Sequence, residues 1–375
     1  MLQTKKLLVL PLVAIVASGA FLSACNSSTT TPTTQPTNTQ SVYATMPNPP
    51  VGLTGAGSTF AAPLYTSWAA TFASQYGVQI NYQAVGSGTG IAYITALTVD
   101  FGASDGIMTS AQINAAQTAG GPILAIPMTM GAVPIIYNIP GVASGALKLS
   151  GPVLAGIYLK TITKWNDPAI TALNPSLTLP ATNITVVHRS DSSGTSNIFT
   201  TYLSQVSSTW ASQIGAGNSV NWPGDLGASG SAAVAAAVQQ NSGSIGYVEL
   251  TYALQNNIGF AQMQNSSGNF IAPSIASTSA AADGVSIPAS TLIMITNSSN
   301  AQAYPICGFT WILAYQNQTN QGKGAELVNF LWWALHNGSA YENSLNYAPL
   351  PQTALAAAET LVKSITYNGQ PILPQ

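Results

Sequence analysis

The chain has 375 residues, enough for about two or three domains, but only 5% of them are charged, whereas an average soluble domain has about 25%. A net charge of −2 leaves no basic patch, which excludes nucleic acid as a partner, and 46% hydrophobic residues exclude intrinsic disorder. Only one apolar run approaches the length of a membrane-spanning helix, which excludes a multi-span membrane protein.

The N-terminus has the pattern of a secretory signal. Lys5 and Lys6 precede an apolar run, Leu7–Phe21, and the following Leu22-Ser23-Ala24-Cys25 is similar to a lipoprotein signal box. We therefore expect residues 1–24 to be removed and Cys25 to carry lipid. An uncleaved anchor helix is the alternative, but the run is short and contains Pro11. Either arrangement places the rest of the chain outside the cytoplasm, in the periplasm or on the outer face, and anchored to the cell membrane.

The next segment, residues 25–51, is rich in Ser, Thr, Pro, Gln and Asn and has no apolar period, which predicts a flexible tether. Cys25 and Cys307 are the only cysteines, so lipid on Cys25 would leave Cys307 without a partner in the chain. The two histidines, His188 and His336, lie far apart in the sequence. We therefore expect no disulfide framework, no metal site and no cofactor.

From Val51 onward, short β-branched apolar runs alternate with longer Ala-rich stretches. The runs that predict strands are Val78–Val85, Ile123–Ile126, Val133–Tyr137, Ile184–Val187, Ile245–Val248 and Leu292–Ile295. The stretches that predict helices are Ala62–Tyr76, Ile91–Leu97, Ser196–Ser207, Ser231–Gln239, Gly324–Leu335 and Thr353–Ile365. This alternation predicts an α/β fold with mostly parallel sheets, and its length of about 320 residues indicates two lobes.

Three segments share one design, in which a strand candidate is followed by a loop of Gly, Ser and Thr and then by a helix candidate. They are Leu53–Phe60, Val85–Gly90 and Val187–Thr195. Glycines let the backbone approach closely, hydroxyls donate hydrogen bonds, and a helix start presents free N–H groups, so such loops suit an anion. Any one of them alone is more often a simple helix cap.

The third loop carries a further signal, because Arg189 is the only arginine in the chain. It lies beside Asp191 and just before Ser193-Gly194-Thr195, at the start of a predicted helix. The planar guanidinium matches the geometry of a phosphate or a carboxylate. A surface salt bridge between Arg189 and Asp191 is the structural alternative.

At these residues the chain resembles the extracytoplasmic phosphate-binding proteins that feed Pst-type ABC transporters. The segments that carry the resemblance are Gly55–Tyr65, Val99–Asp105, Arg189–Ser196, Ile157–Asp167, Gly246–Glu249 and Tyr347–Pro351. They span most of Gly52 to Pro351 and occur in the order found in the family.

The resemblance implies a phosphate site formed by Ser58, Thr59, Phe60, Ser87, Asp105, Arg189, Ser193, Gly194 and Thr195. The hydroxyls and backbone N–H groups of these residues would donate to phosphate, and Asp105 would accept its proton. Arg189 would pair with phosphate oxygens while Asp191 holds it in place.

Two positions near these residues depart from the family pattern. Residues 86–90 read Gly-Ser-Gly-Thr-Gly where many relatives have Ser-Ser-Gly-Gly, with Ser87 still aligned, and Ser192 replaces a common Gly.

The resemblance also implies a periplasmic-binding-protein-like fold of two α/β lobes joined by hinge strands. Lobe I would combine residues 52–131 with 303–375, and lobe II would be residues 132–302. Closure of the lobes around a small anion would dry the site. The partners implied are inorganic phosphate and the permease subunits of an ABC transporter, with the protein itself a monomer.

Three other functions fit parts of the sequence. His188, Asp191 and Ser193 lie close together, but the Gly-x-Ser-x-Gly pattern is absent here and triad members usually converge from distant segments, so an enzyme is not expected. A structural surface lipoprotein would leave the three loops and the single arginine unexplained. A binder of sulfate or another oxyanion would place the Asp105 carboxylate against oxygens that carry no proton.

Overall fold

The computed structural model of the chain describes residues 43–374. The predicted signal segment, Cys25 and most of the predicted tether lie outside the described residues. Within residues 43–374, none of the helices combines the length and the apolar character that crossing a membrane requires.

The strands are β1 (Leu53–Gly57), β2 (Ile80–Ala84), β3 (Phe101–Ser104), β4 (Ile123–Ala132), β5 (Ile135–Asn138), β6 (Lys148–Leu149), β7 (Thr185–Arg189), β8 (Leu226–Ala228), β9 (Ser244–Tyr247), β10 (Gly259–Phe260), β11 (Gln262–Gln264), β12 (Phe270–Ile271), β13 (Cys307–Tyr315), β14 (Asn317–Gln318), β15 (Thr366–Tyr367) and β16 (Gln370–Pro371). The helices are α1 (Ala62–Tyr76), α2 (Ser87–Thr95), α3 (Ser110–Gly120), α4 (Gly151–Tyr158), α5 (Pro168–Thr171), α6 (Gly194–Val206), α7 (Ser208–Gln213), α8 (Ser231–Gln240), α9 (Leu250–Gln255), α10 (Ile275–Ala282), α11 (Gln321–His336), α12 (Ser339–Glu342) and α13 (Gln352–Lys363).

Two five-stranded sheets carry the fold, with strand orders β2-β1-β3-β13-β4 and β10-β5-β9-β7-β8. In the first sheet β1 pairs parallel with β2 and β3, whereas β13 runs antiparallel to β3 and β4. In the second sheet β7 pairs parallel with β8 and β9, whereas β5 runs antiparallel to β9 and β10. The predicted α/β class is therefore confirmed, and the parallel pairing is confined to the half of each sheet that bears the glycine-rich loops.

The register of the parallel strands brings the loops that follow β1, β2 and β3 to one edge of the first sheet. Gly57, at the end of β1, pairs with Ala84 at the end of β2 and with Ala103 near the end of β3. Only glycine fits at position 57, because a Cβ there would lie 2.0 Å from the carbonyl oxygen of Ala103. The carboxyl ends of β1, β2 and β3 therefore meet, and the residues that follow them lie side by side.

Aromatic side chains fill the space between helices and sheets on both sides of the molecule. In the first half, Phe72 of α1 packs against Phe330 and Trp333 of α11, with ring centroids 5.5 and 5.6 Å apart. In the second half, Phe199 of α6 stacks on Tyr247 of β9 at 4.2 Å. These contacts hold α1 and α6, the helices that follow two of the predicted loops, firmly on their sheets.

The first described residues lie along α11. The backbone N–H of Ala44 donates to the Asn329 side chain at 2.8 Å, and the Asn329 amide donates back to the Ala44 carbonyl oxygen at 3.1 Å. The N–H of Val51 donates to buried Glu326 at 3.4 Å. The segment predicted as a flexible tether, 25–51, therefore ends in a stretch that is docked on the body from about residue 44 onward.

One predicted strand is wrong. Residues 292–295 form no strand, although the side chain of Ile295 is buried. Thr291, just before them, has a left-handed φ of 59° and donates its hydroxyl to the Ala125 carbonyl oxygen. A short apolar run has the same composition in a strand and in an irregular buried segment, so composition alone could not distinguish the two.

Candidate functional site

The structure brings the three predicted loops together between the two sheets. The backbone N–H of Gly88, after β2, donates to the carbonyl oxygen of Ser192, after β7, at 2.9 Å. The hydroxyls of Thr59, after β1, and Ser231, at the start of α8, are 2.9 Å apart. All nine residues of the predicted phosphate site are buried here. Their contact with a ligand stays a prediction.

The Asp105 carboxylate is held by three hydroxyls. Its Oδ1 accepts hydrogen bonds from Ser58 and, at 2.9 Å, from Thr310, and its Oδ2 accepts from Ser87 at 3.3 Å. Burial raises the pKa of Asp105 to about 6, although the hydroxyls of Ser58 and Thr310 and the charge of Arg189 act in the opposite direction. At neutral pH Asp105 is therefore a buried carboxylate with lone pairs still available as acceptors.

The Arg189 guanidinium forms a two-pronged pair with Asp191. Nε donates to Oδ1 at 2.7 Å and Nη2 donates to Oδ2 at 2.5 Å. The Arg189 side chain is only 2% exposed, which rules out the alternative of a surface salt bridge. Burial disfavours the charge on Asp191, but the hydrogen bonds and charge of Arg189 outweigh burial and hold the pKa of that carboxyl below its ordinary value. The Asp191 carboxyl is therefore ionised at neutral pH.

Helix N-termini supply neutral donors to the same space. Ser193 caps α6, and its hydroxyl accepts from the N–H of Ser196 at 3.1 Å. The hydroxyl of Thr195, in the first turn of α6, is buried and has no hydrogen-bond partner among residues 43–374. A buried hydroxyl without a partner at the positive end of a helix fits a site that receives an anionic ligand.

The charged side chains of this site have no net positive charge. Arg189 contributes one positive charge, whereas Asp191 and Asp105 contribute one negative charge each. An anion bound here would therefore depend on hydrogen bonds from hydroxyls, backbone N–H groups and helix starts rather than on a net positive field. Such a site would distinguish ligands by the positions of their protons and lone pairs.

Several residues of the site were not anticipated from the sequence. Thr310 of β13 donates to Asp105, and the hydroxyls of Tyr252 and Tyr347 donate to the carbonyl oxygens of Thr59 and Phe60, each at 2.6 Å. At the start of α8, the N–H of Gly230 donates to Asp191 at 3.0 Å and Arg189 Nη1 donates to Ser231 at 3.3 Å.

The sequence contains a pattern from which the start of α8 could have been predicted as part of the site. Residues 228–231 read Ala-Ser-Gly-Ser and join a strand to an Ala-rich helix, which is the design of the three predicted loops. Thr310 had no such signal, because a lone hydroxyl in a buried strand looks like any other strand residue.

His188 and Cys307 have structural surroundings. The His188 ring stacks on Trp222 with centroids 5.0 Å apart, and its Nδ1 lies 3.0 Å from the carbonyl oxygen of Arg189. Cys307 is fully buried, and burial raises the pKa of its thiol to about 12, which leaves it unreactive. The part of the chain that the structure describes holds no group of three His, Cys, Asp or Glu side chains placed to share a metal ion.

Comparison with known proteins places this geometry in a family. The model of the PBP superfamily domain matches residues 27–337. The chain is 41% identical over 311 residues to the phosphate-binding protein PstS of Xylella fastidiosa, covering 82% of this chain and 84% of the relative. It is 39% identical over 314 residues to the PstS of Haemophilus influenzae, covering 83% and 92%.

Solved structures share the fold. A high-affinity periplasmic phosphate-binding protein, PfluDING, determined with bound phosphate, superposes with a TM-score of 0.67 at 22% identity, covering 82% of this chain and 93% of that one. The phosphate-binding protein of Stenotrophomonas maltophilia gives a TM-score of 0.64 at 23% identity, with the same coverage. Together with the sequence identities, these likenesses lead to one conclusion: the chain belongs to the PstS family of phosphate-binding proteins.

Proposed function

We propose that this protein binds inorganic phosphate with high affinity between two lobes and delivers it to an ABC-type phosphate importer. One observation carries the proposal: the buried Asp105 carboxylate lies among hydroxyl donors and helix N-termini, close to the buried Arg189 guanidinium. The names of the PstS relatives support it, since they are phosphate-binding proteins.

The ligand we propose is phosphate because Asp105 needs a proton donor. Phosphate near neutral or acidic pH keeps at least one proton, which a carboxylate can accept. Sulfate has only lone pairs to offer, so it would place charge against charge in a dry site. The ligand residues we propose are Ser58, Thr59, Phe60, Ser87, Asp105, Arg189, Ser193, Gly194 and Thr195.

The proposed lobes are residues 52–131 with 303–375, and residues 132–302. The first sheet lies within the first set except for Ala132, the last residue of β4, and the second sheet lies within the other set. The chain leaves the first sheet after β4 and returns before β13, and these two connections are joined by a hydrogen bond of 2.7 Å from the N–H of Val133 to the carbonyl oxygen of Ile306. Two adjacent connections of this kind suit a hinge.

A thermal-shift series tests the binding proposal. A ligand that binds only the folded state stabilises it by RT ln(1 + [L]/Kd), so the melting temperature is expected to climb steadily with phosphate concentration. Sodium sulfate at equal ionic strength is the control and is expected to leave the melting temperature nearly unchanged. A melting temperature that ignores phosphate would contradict the proposal.

The protein acts, in this proposal, as a monomeric carrier without catalytic activity, and the permease subunits of the importer are its partners. The contacts of His188 support the absence of catalysis, because its ring stacks on Trp222 and its Nδ1 lies 3.0 Å from the carbonyl oxygen of Arg189. Incubation of the purified protein with a phosphate ester tests this point, and release of phosphate above the rate without protein would contradict it.

We expect the ligand-free protein to be more stable in mild acid than at neutral pH. Burial raises the pKa of Asp105 to about 6 and of Glu342 to about 7, and also raises that of Glu249. A carboxyl whose pKa is raised on folding stabilises the fold while it is protonated, and this contribution is lost as the pH rises through the folded-state pKa. Asp191, whose pKa is lowered, opposes the trend only below about pH 4.

The melting temperature without phosphate is therefore expected to be about 5 °C higher at about pH 4.5 than at about pH 7.5. The double variant Glu249→Gln/Glu342→Gln is the matched control and is expected to flatten this dependence. A wild-type melting temperature that falls steeply toward acid would disprove the expectation. A chain with only ten acidic residues also gains little positive charge when its carboxylates are protonated in acid. Stability in mild acid would therefore suit a protein that works in an acidic exterior.

The proposed location is the outer side of the cell membrane, with a lipid on Cys25 after removal of residues 1–24. Replacing Cys25 by Ser is expected to leave the protein unprocessed or to release it from the membrane, because stable anchoring needs about two acyl chains or more on the N-terminus. Fractionation followed by mass spectrometry of the N-terminal peptide measures this. An unmodified mature N-terminus at another residue would exclude the lipoprotein interpretation.

A further inference from the structure

The loops after β2 and β7 touch each other at Gly88 and Ser192. The Gly88 N–H donates to the Ser192 carbonyl oxygen at 2.9 Å, and both residues are half-buried. Gly88 follows Ser87 in the first turn of α2, and Ser192 lies between Asp191 and Ser193. Each of the two residues is therefore next to proposed site residues without being one of them.

There is no room for a side chain at position 88. A Cβ on Gly88 would lie 2.0 Å from Ser192 Oγ and 2.3 Å from Ser192 Cβ. The Ser192 hydroxyl could rotate away, but its Cβ is fixed to the backbone. A larger residue at position 88 must therefore push the two loops apart by roughly 1 Å, because packed contacts do not compress.

The two positions hold the smallest residue, Gly88, and a slightly larger one, Ser192, in direct contact. Exchanging the two residues would keep the combined volume of the contact. Swaps that conserve volume are the ones packed contacts tolerate best.

We propose that Gly88 and Ser192 are a size-matched pair that sets how closely the two loops close over the anion, and thereby the affinity, without touching the ligand. The proposal rests on phosphate binding as the function. Both neighbours of the pair are tied to the site: Ser87 donates to Asp105 at 3.3 Å, and Asp191 holds Arg189.

A gap at the pair would be transmitted directly to the site. Gly194 lies so close to the opposite loop that a Cβ on it would be 2.5 Å from Ser87 Oγ and 2.7 Å from the Asp105 nitrogen. Separation of the loops would therefore lengthen the hydrogen bonds that reach one small ligand from both sides. Binding would weaken because misplaced donors lose most of their strength.

The test is a set of variants titrated with inorganic phosphate. Gly88→Ser is expected to raise the Kd about tenfold or more, and Gly88→Ser/Ser192→Gly is expected to return it to within about threefold of wild type. Ser192→Gly alone only removes atoms and is expected to change the Kd by less than about threefold. Gly52→Ser, at an exposed position just before β1, is the matched control and is expected to bind as wild type.

Two further measurements separate closure from general damage. Ser192→Leu adds bulk from the opposite loop and is expected to weaken binding as Gly88→Ser does. Small-angle scattering of both variants is expected to show less compaction on adding phosphate than in wild type, while their melting temperatures without phosphate stay within about 1 °C of wild type.

The outcomes are distinguishable. Wild-type affinity in Gly88→Ser, or a double variant as weak as Gly88→Ser, overturns the size-matched pair and leaves the phosphate function standing. Loss of stability in both bulky variants without phosphate also overturns it, because the pair would then be a structural contact. A wild-type protein that binds no phosphate overturns the proposed function, and the pair falls with it.

Discussion

Replacing Arg189 by alanine is expected to weaken phosphate binding by about two orders of magnitude or more. The guanidinium is 2% exposed, and its removal leaves the Asp191 carboxylate, which is itself largely buried, without its partner. Loss of one partner from a buried ion pair costs about 3–5 kcal/mol, and each 1.4 kcal/mol is about a factor of ten in Kd. Calorimetric titration measures the change, and a Kd in the variant within about tenfold of wild type would refute the assignment.

Two further variants show what kind of interaction is lost. Arg189→Lys keeps the charge but not the planar fork, so it is expected to fall between wild type and Arg189→Ala. Lys160→Ala removes a cation that pairs with Asp225 at a partly exposed position away from the site. Surface pairs contribute little, so this control is expected to bind phosphate as wild type does.

Replacing Asp105 by asparagine is expected to lower the preference for phosphate over sulfate by about tenfold or more. The carboxylate can accept the phosphate proton, whereas against sulfate it would be a buried charge without a donor, which costs about 1–3 kcal/mol or more. The amide of asparagine can donate to either anion. Competition binding of both anions to wild type and variant, at one pH and salt concentration, measures the ratio. An unchanged ratio would mean that a residue other than Asp105 recognises the phosphate proton.

The pH dependence of this ratio gives an internal control. Because burial raises the pKa of Asp105 to about 6, the wild-type carboxyl gains a proton as the pH falls below that value. A protonated carboxyl can donate to sulfate, so discrimination is expected to weaken below about pH 6 in wild type. In Asp105→Asn the same change of pH is expected to have a much smaller effect on the ratio, since the amide does not titrate in this range.

Local signals allowed much of the fold to be predicted from the sequence. The predicted bounds of α1 agree with the structure because Pro63 lies in the first turn and Gly77, with a φ of 77°, ends the helix. The order of strands within each sheet could not be predicted, since β13 inserts between β3 and β4 from far along the chain. Such pairings depend on tertiary packing, which no short window of sequence contains.

The same division applies to the site. The glycine-rich loops could be located because each one carries glycines, hydroxyls and a helix start within a few residues, and the family resemblance supplied roles for them. Thr310 contacts Asp105, and Tyr252 and Tyr347 contact the first of these loops, only after the strands and helices pack. Their single hydroxyls therefore gave no signal in the sequence. The sequence could therefore name the loops of the site but not the side chains that support them.

Calorimetric titration of the purified protein, freed of bound phosphate, tests the central claim most directly. At neutral pH and fixed salt, we expect phosphate to bind with one site per chain, and we expect sulfate at the same concentration to give no binding heat. Absence of binding heat with phosphate, or equal binding of the two anions, would contradict a site at which Arg189 binds phosphate and Asp105 recognises its proton.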